Sequence, residues 1–168
     1  MAGNKYLKNN SGTITEEAAL QASTGVTDAG KIVALDSTGK LDNTMMPTGI
    51  GADTALIAAT EALAAGDFVN VYNSSGAKCR KADASTAGKE AHGFVLAAVD
   101  SGNNATVYFE GTNTQVTGHT PGVVFLSATP GLATTTAPSS AGNVVQRIGF
   151  ATGATAINFQ SQVPIVLA

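Results

Sequence analysis

The sequence predicts an all-β protein. The expected architecture is a small barrel or sandwich built from a duplicated, glycine-rich β unit, preceded by an extended N-terminal arm with at most one short helix. Three observations carry this. Short runs rich in β-branched and aromatic residues recur between turn signals at roughly the 8–12-residue spacing of sandwiches and small barrels. Glycine is abundant, at 19 of 168 residues, and it falls between those runs, where tight turns need positive φ. The runs also repeat in order along the chain.

Residues 1–53 form the arm. Thr15 precedes Glu16, Glu17, Ala18, Ala19 and Leu20, a hydroxyl cap with carboxylates in the first turn, which predicts a helix of at most two turns. Gly25 supplies its stop. So short a helix is not stable alone in water. Ile32 to Leu35 is a short apolar run, and Asp36-Ser37-Thr38-Gly39 has turn chemistry. Leu41, Met45, Met46 and Ile50 follow neither the helical nor the strand period, and Pro47, Gly49 and Gly51 discourage regular structure. Apolar side chains spaced in this way cannot bury one another. They are anchors to be covered elsewhere, on the chain's own β domain or on a neighbour.

Residues 54–168 form the β domain. DFVNVYN sets Phe68, Asn70 and Tyr72 against Val69, Val71 and Asn73. The runs HGFVLAAVD, NATVYFEGT, GVVFLSATPG, NVVQRIGFA and AINFQSQVPIVLA follow, each bounded by turn residues. Residues 65–97 align with 121–151. Gly66 falls on Gly122, Gly76 on Gly131, Ala82 on Ala137, Gly88 on Gly142, Gly93 on Gly149 and Phe94 on Phe150, at offsets of 54 to 56. Ala105–Phe109 continues the match onto Thr155–Phe159 at an offset of 50. The expected repeat units span about 54–111 and 112–168. Two such units can cover each other's apolar faces or close into a barrel.

Composition excludes several function classes. Charged residues are 12% and net charge is −3, so the basic balance of a nucleic-acid binder is missing. At 43% hydrophobic the chain is too apolar for intrinsic disorder, and one cysteine makes no disulfide framework. No run approaches the roughly 18 apolar residues of a membrane span, and no apolar segment follows Lys5 and Lys8 to make a secretory signal. So few charges favour association, which points to work in an assembly.

The chemistry-bearing residues are few. Cys79, between Lys78 and Arg80, reads as a strand cysteine without a redox role. His92 aligns with Ile148 and reads as a partly buried strand histidine, whereas His119 in VTGHTPG reads as exposed. No histidine or thiolate metal spacing, no nucleophile elbow and no phosphate-binding loop is present. Seven Asp and five Glu are scattered, and Asp36, Asp42 and Asp53 suit turns or caps. No enzyme, catalytic residue, cofactor or metal is expected.

Two segments resemble known structural patterns. GVVFLSATPGLATTTAPSSAGNVVQRIGFAT, residues 122–152, resembles a β module common in structural proteins of tailed bacteriophages. GKIVALDSTGKLDNTMMP, residues 30–47, resembles the linker that joins arms to such modules in head-fibre, decoration and tail-fibre proteins. The short chain and its final strand IVLA favour a capsid decoration (cement) or head-fibre protein over a full fibre. The resemblance implies a homotrimer on the virion's capsid surface, made in the host cytoplasm, with the major capsid protein as partner and neither nucleic acid nor membrane bound. The expected anchors are Ile32, Leu35, Leu41, Met45, Met46, Pro47 and Ile50. The alternative is a tail, collar or adsorption protein whose β domain binds a host receptor or glycan through TNTQVTGHTPG.

Overall fold

The computed structural model describes residues 4–46 and 52–168, which fall into two compact units, 1–51 and 52–168. The protein is all-β: apart from two three-residue 3-10 turns, the regular elements among the described residues are strands.

The first unit opens with a hairpin. Strands β1 (Lys5–Asn10) and β2 (Thr13–Ala18) pair antiparallel from Lys5↔Ala18 to Asn10↔Thr13. Ser11 and Gly12, at φ 54° and 95°, make the two-residue loop, with positive φ at both positions as the right-handed twist of a hairpin requires. The helix expected from Thr15 is therefore a strand. Glu16 and Glu17, which suited a first helical turn, instead pair across the hairpin with Lys5 and Lys8. Gly25 does not stop a helix but precedes a 3-10 turn at Val26–Asp28. A second such turn, Asn43–Met45, is capped by the Asp42 side chain. Leu20, ahead of the first turn, bridges Val33 in parallel.

The second unit contains two sheets with one strand order. Strands β3 (Thr54–Ala59), β4 (Phe68–Asn73), β5 (Ala77–Lys81), β6 (Gly93–Val95) and β7 (Asn104–Tyr108) close into a barrel in the order β3-β5-β4-β6-β7. Strands β8 (Gly111–Asn113), β9 (Gly122–Leu126), β10 (Ala133–Thr134), β12 (Arg147–Gly153) and β13 (Ala156–Phe159) form an open sheet in the order β10-β9-β12-β13-β8. Strands β11 (Val144–Val145) and β14 (Ile165–Val166) make a separate ribbon. The cross-strand rows correspond residue by residue. Thr54, Tyr108, Phe94 and Phe68 make one row of the barrel, and Thr112, Asn158, Phe150 and Val123 make its counterpart in the open sheet. Gly93 and Gly149 sit alike: a Cβ would meet the carbonyl oxygen of Tyr108 at 2.5 Å and of Asn158 at 2.0 Å. On β9 the sequence alignment slips by one residue, because Val124 rather than Phe125 stands where Val69 stands in the barrel.

Alternation divides the core. Val69, Cys79, Val95 and Val107 face the barrel interior with Ile57, Ala59, Leu63 and Ala105. Phe68 and Phe94 face the other way, onto Val124, Leu126, Ile148, Ile157 and Phe159 of the open sheet. The Phe68, Phe94 and Phe159 rings lie with centroids 5.8–6.5 Å apart, in tilted and edge-on contacts. Buried Gln146 locks this interface. Its Oε1 accepts from Ala91 N–H at 2.8 Å, and its Nε2 donates to Ala91 O and Ser161 Oγ at 2.9 Å.

Candidate functional site

The arm is ordered by turns and not by a core. Asp28 Oδ2 accepts from Thr24 N–H at 2.6 Å and Oγ1–H at 2.8 Å, and Oδ1 takes Lys31 Nζ at 2.9 Å. Asp36 Oδ1 accepts from Thr38 N–H and Oγ1–H and from Lys40 N–H, at 2.7–2.9 Å. Asp42 Oδ1 accepts from Thr44 N–H and Oγ1–H at 2.6–2.9 Å. Each side chain mimics a backbone turn. Hydrogen bonds to the charged form hold all three carboxyls below their ordinary range, Asp28 down to about 2, with the Lys31 bond its largest cause. Thr44 Oγ1 also accepts from Ser23 N–H at 2.8 Å, and Gln21 Nε2 donates to Leu35 O at 3.0 Å, so residues 20–23 are tied to 33–44.

These turns hold the apolar side chains apart. Ile32 is 54% exposed, Leu35 55%, Leu41 42% and Met46 38%, while Met45 is half-buried. Pro47 and Ile50 lie outside the described residues. Leu7, Ile14 and Val26 are exposed as well. Sequence reasoning missed Leu7 and Ile14 because the hairpin was not read, and the signal that finds them is the Asn-Ser-Gly turn; Val26 lies in the first 3-10 turn. None of residues 4–46 is buried.

A second feature lies in the β unit. A cleft of about 510 Å³ runs between residues 64–68, 115–119 and 131–135. Glycine shapes its walls: at φ +92° Gly66 packs against the Gln115 carbonyl, where a Cβ would come within 2.4 Å, and Gly131 packs equally closely on the Asp67 carboxylate. Asn113 Nδ2 donates to Gly66 O at 2.8 Å and its Oδ1 accepts from Gln115 N–H at 3.1 Å, which fixes one wall. The Asp67 carboxylate is buried, accepts from Ala64 N–H at 2.8 Å and pairs with Lys81 at 3.4 Å. The cleft was not legible in sequence, although five residues of TNTQVTGHTPG line it.

The remaining chemistry-bearing residues stay apart. His92 is exposed, not partly buried, because it precedes β6 at the sheet margin, where its Nδ1 accepts from Val71 N–H at 3.0 Å. His119, expected to be exposed, is half-buried in the cleft wall, where its N–H reaches Ala154 O at 3.3 Å. Cys79 is fully buried in the barrel, and burial pushes its thiol pKa up. Among the described residues no three His, Cys, Asp or Glu side chains come together as a metal site.

Comparison with known proteins brings no relative. No family model, no curated protein and no solved structure matches the chain. The functional argument therefore rests on this chain's own residues.

Proposed function

We propose that the protein is a non-enzymatic structural protein of a tailed-bacteriophage virion. It binds the outer capsid surface as an oligomer, a homotrimer by the resemblance, and stabilises the shell by bridging major-capsid subunits. The observation that carries this reading is the arm: residues 4–46 hold a hairpin, two 3-10 turns and three aspartate-built turns, yet none of them is buried. A two-stranded hairpin without a packed face is marginal at best in water. A segment shaped in this way gains its stability from a surface outside itself. Ile32, Leu35, Leu41 and Met46 then supply about 1.5–3 kcal/mol each when fully covered, and several arms per oligomer add avidity. The β unit forms the outward knob.

The test is to mix the chain with decoration-free capsids and count bound copies, then repeat with residues 1–50 deleted. Binding in a fixed lattice ratio that the deletion abolishes is expected. Unchanged binding of the shortened chain refutes the tether. The second reading, an adsorption protein that grips a glycan, is favoured by the threonines Thr117, Thr134 and Thr135 in the cleft lining. Glycan-array binding by a chain that ignores capsids would select it.

A further inference from the structure

The two sheets share a strand order but not an ending. In the barrel, β3 closes the ring by pairing in parallel with β5, Ala58 beside Lys78 and Ala59 beside Cys79. In the open sheet β10 pairs with β9 alone among the described residues. The cleft lies along that open edge, between β10 and the segment 115–119 that follows β8. Strand β8 is the counterpart of β3, Thr112 standing where Thr54 stands, but it does not pair with β10, so the cleft lies at the seam that the β3–β5 pair closes in the first copy.

Backbone register shows which groups face the seam. Leu126 N–H donates to Gln146 O on the far side, so Leu126 and its partner Ala133 form a non-hydrogen-bonded pair, and Ala133 turns its N–H and C=O toward the open edge. The ladder equivalent of Ala133 is Cys79, whose C=O accepts from Thr60 N–H at 2.9 Å, just past β3. The arm offers the complementary edge. Leu20 N–H donates to Ile32 O, and Ala34 N–H donates to Leu20 O, both at 2.8 Å. Val33, 48% exposed, therefore points its own N–H and C=O away from Leu20.

The geometry points to strand exchange between copies: the run Ile32–Leu35 of a second copy lies in the cleft and pairs with Ala133, giving β10 the edge partner that β5 finds in β3. Composition selects this occupant. The strand that pairs with β5 reads Thr-Ala-Leu-Ile-Ala-Ala, uncharged, small and aliphatic, and the arm run reads Ile-Val-Ala-Leu. Among the described residues that line the cleft Asp67 is the one carboxylate, and it is already paired with Lys81, so the lining suits a neutral strand. The inference rests on the reading that the arm works outside its own chain.

The test mixes two full-length single-substitution variants, Val33→Cys and Thr135→Cys, through a dilution and reconcentration step in a thiol-disulfide buffer. Buried Cys79 stays out of the exchange. The mixed disulfide is expected to exceed that of a Val33→Cys and Ser74→Cys mixture by about tenfold or more, because docking raises the effective thiol concentration. Val33→Pro, which removes the N–H, is expected to lower the oligomer mass in light scattering. No enrichment over the Ser74 mixture overturns the inference, as does a Val33→Cys/Thr135→Cys double variant that links only within single chains. Capsid copy number separates the two claims. Lattice-ratio binding without the mixed disulfide removes strand exchange and leaves the decoration reading. The mixed disulfide without capsid binding does the reverse.

Discussion

Gln146→Leu tests whether the two sheets of the β unit are locked by one buried amide. Leucine preserves most of the volume and removes both polar ends. Ala91 is fully buried, and its N–H has the Gln146 Oε1 at 2.8 Å as partner. Ala91 O keeps a donor, because Ser161 Oγ–H reaches it at 3.1 Å. The substitution thus orphans one buried N–H, at a cost of about 1–3 kcal/mol. For a unit of this length each kcal/mol moves Tm by roughly 4 °C, so a central value of about 2 kcal/mol lowers Tm by about 8 °C. Calorimetry reads this directly. Ser161→Ala takes away a second donor to Ala91 O and one acceptor of Gln146 Nε2, but each keeps the other as partner at 2.9 Å, so it is expected to cost under about 1 kcal/mol. A Gln146→Leu protein that melts within about 2 °C of the parent refutes the lock and places the interface energy in the aromatic contacts alone.

Gly149→Ala drives a Cβ to within 2.0 Å of Asn158 O at a φ of +142°, so it is expected to destabilise by roughly 3 kcal/mol, whereas Gly153→Ala on the same strand meets nothing within 4 Å and stays near neutral in urea unfolding. Equal midpoints for the two would remove the close-approach argument. Phe68→Ala should cost about 3–5 kcal/mol in the same assay, and a loss below about 1 kcal/mol would show that the shared core does not rest on this ring. The Asp28 turn is fully formed above the ordinary carboxylate pKa near 3.8, since its folded pKa is depressed, and it is lost as pH falls through about 2. The Thr24 amide resonance follows this, and a midpoint at or above 3.8 contradicts the bonding described. Cys79 should react with a thiol reagent at least ~100-fold more slowly in the native protein than in denaturant, because only opening of the barrel exposes it.

Much of the β unit was legible because its duplication is written in residues that backbone geometry demands. Gly93 and Gly149 are fixed by a carbonyl oxygen in the position a Cβ would take, and Gly88 and Gly142, at φ +87° and +80°, turn the same loop in both halves. Such requirements are local and survive in composition. The hairpin at the start of the arm was not legible in the same way. Thr15-Glu16-Glu17 satisfies the local rules for a helix start, and what overrides them is non-local: Lys5 and Lys8 across the strand, and the Ser11-Gly12 loop that brings them there. The cleft left no signal because it arises from a pair that does not form. The arm anchors were visible as apolar residues without a period, but a single chain carries no record of what covers them.

The asymmetry between the copies has a physical reason that ties fold to interface. A closed five-stranded barrel uses its interior side chains for itself, so its outward row, Phe68, Phe94 and Tyr108, needs a cover. The second copy provides one only by staying open: its inward residues Val124, Leu126, Ile157 and Phe159, which would otherwise fill a second barrel, meet that aromatic row instead. Among the described residues of the second unit, no third sheet covers the corresponding outward row of the second copy. Phe150, the counterpart of Phe94, is accordingly left exposed, with the Arg147 guanidinium 4.1 Å from its ring centroid. Closing the second sheet on itself would remove the partner of the first, and covering the first leaves the edge at Ala133 unpaired. An open edge is a standing invitation to another strand unless something occupies it. The duplication that builds the core therefore also creates the seam, and the unburied, uncharged run Ile32–Leu35 in the arm is the segment proposed to pair there.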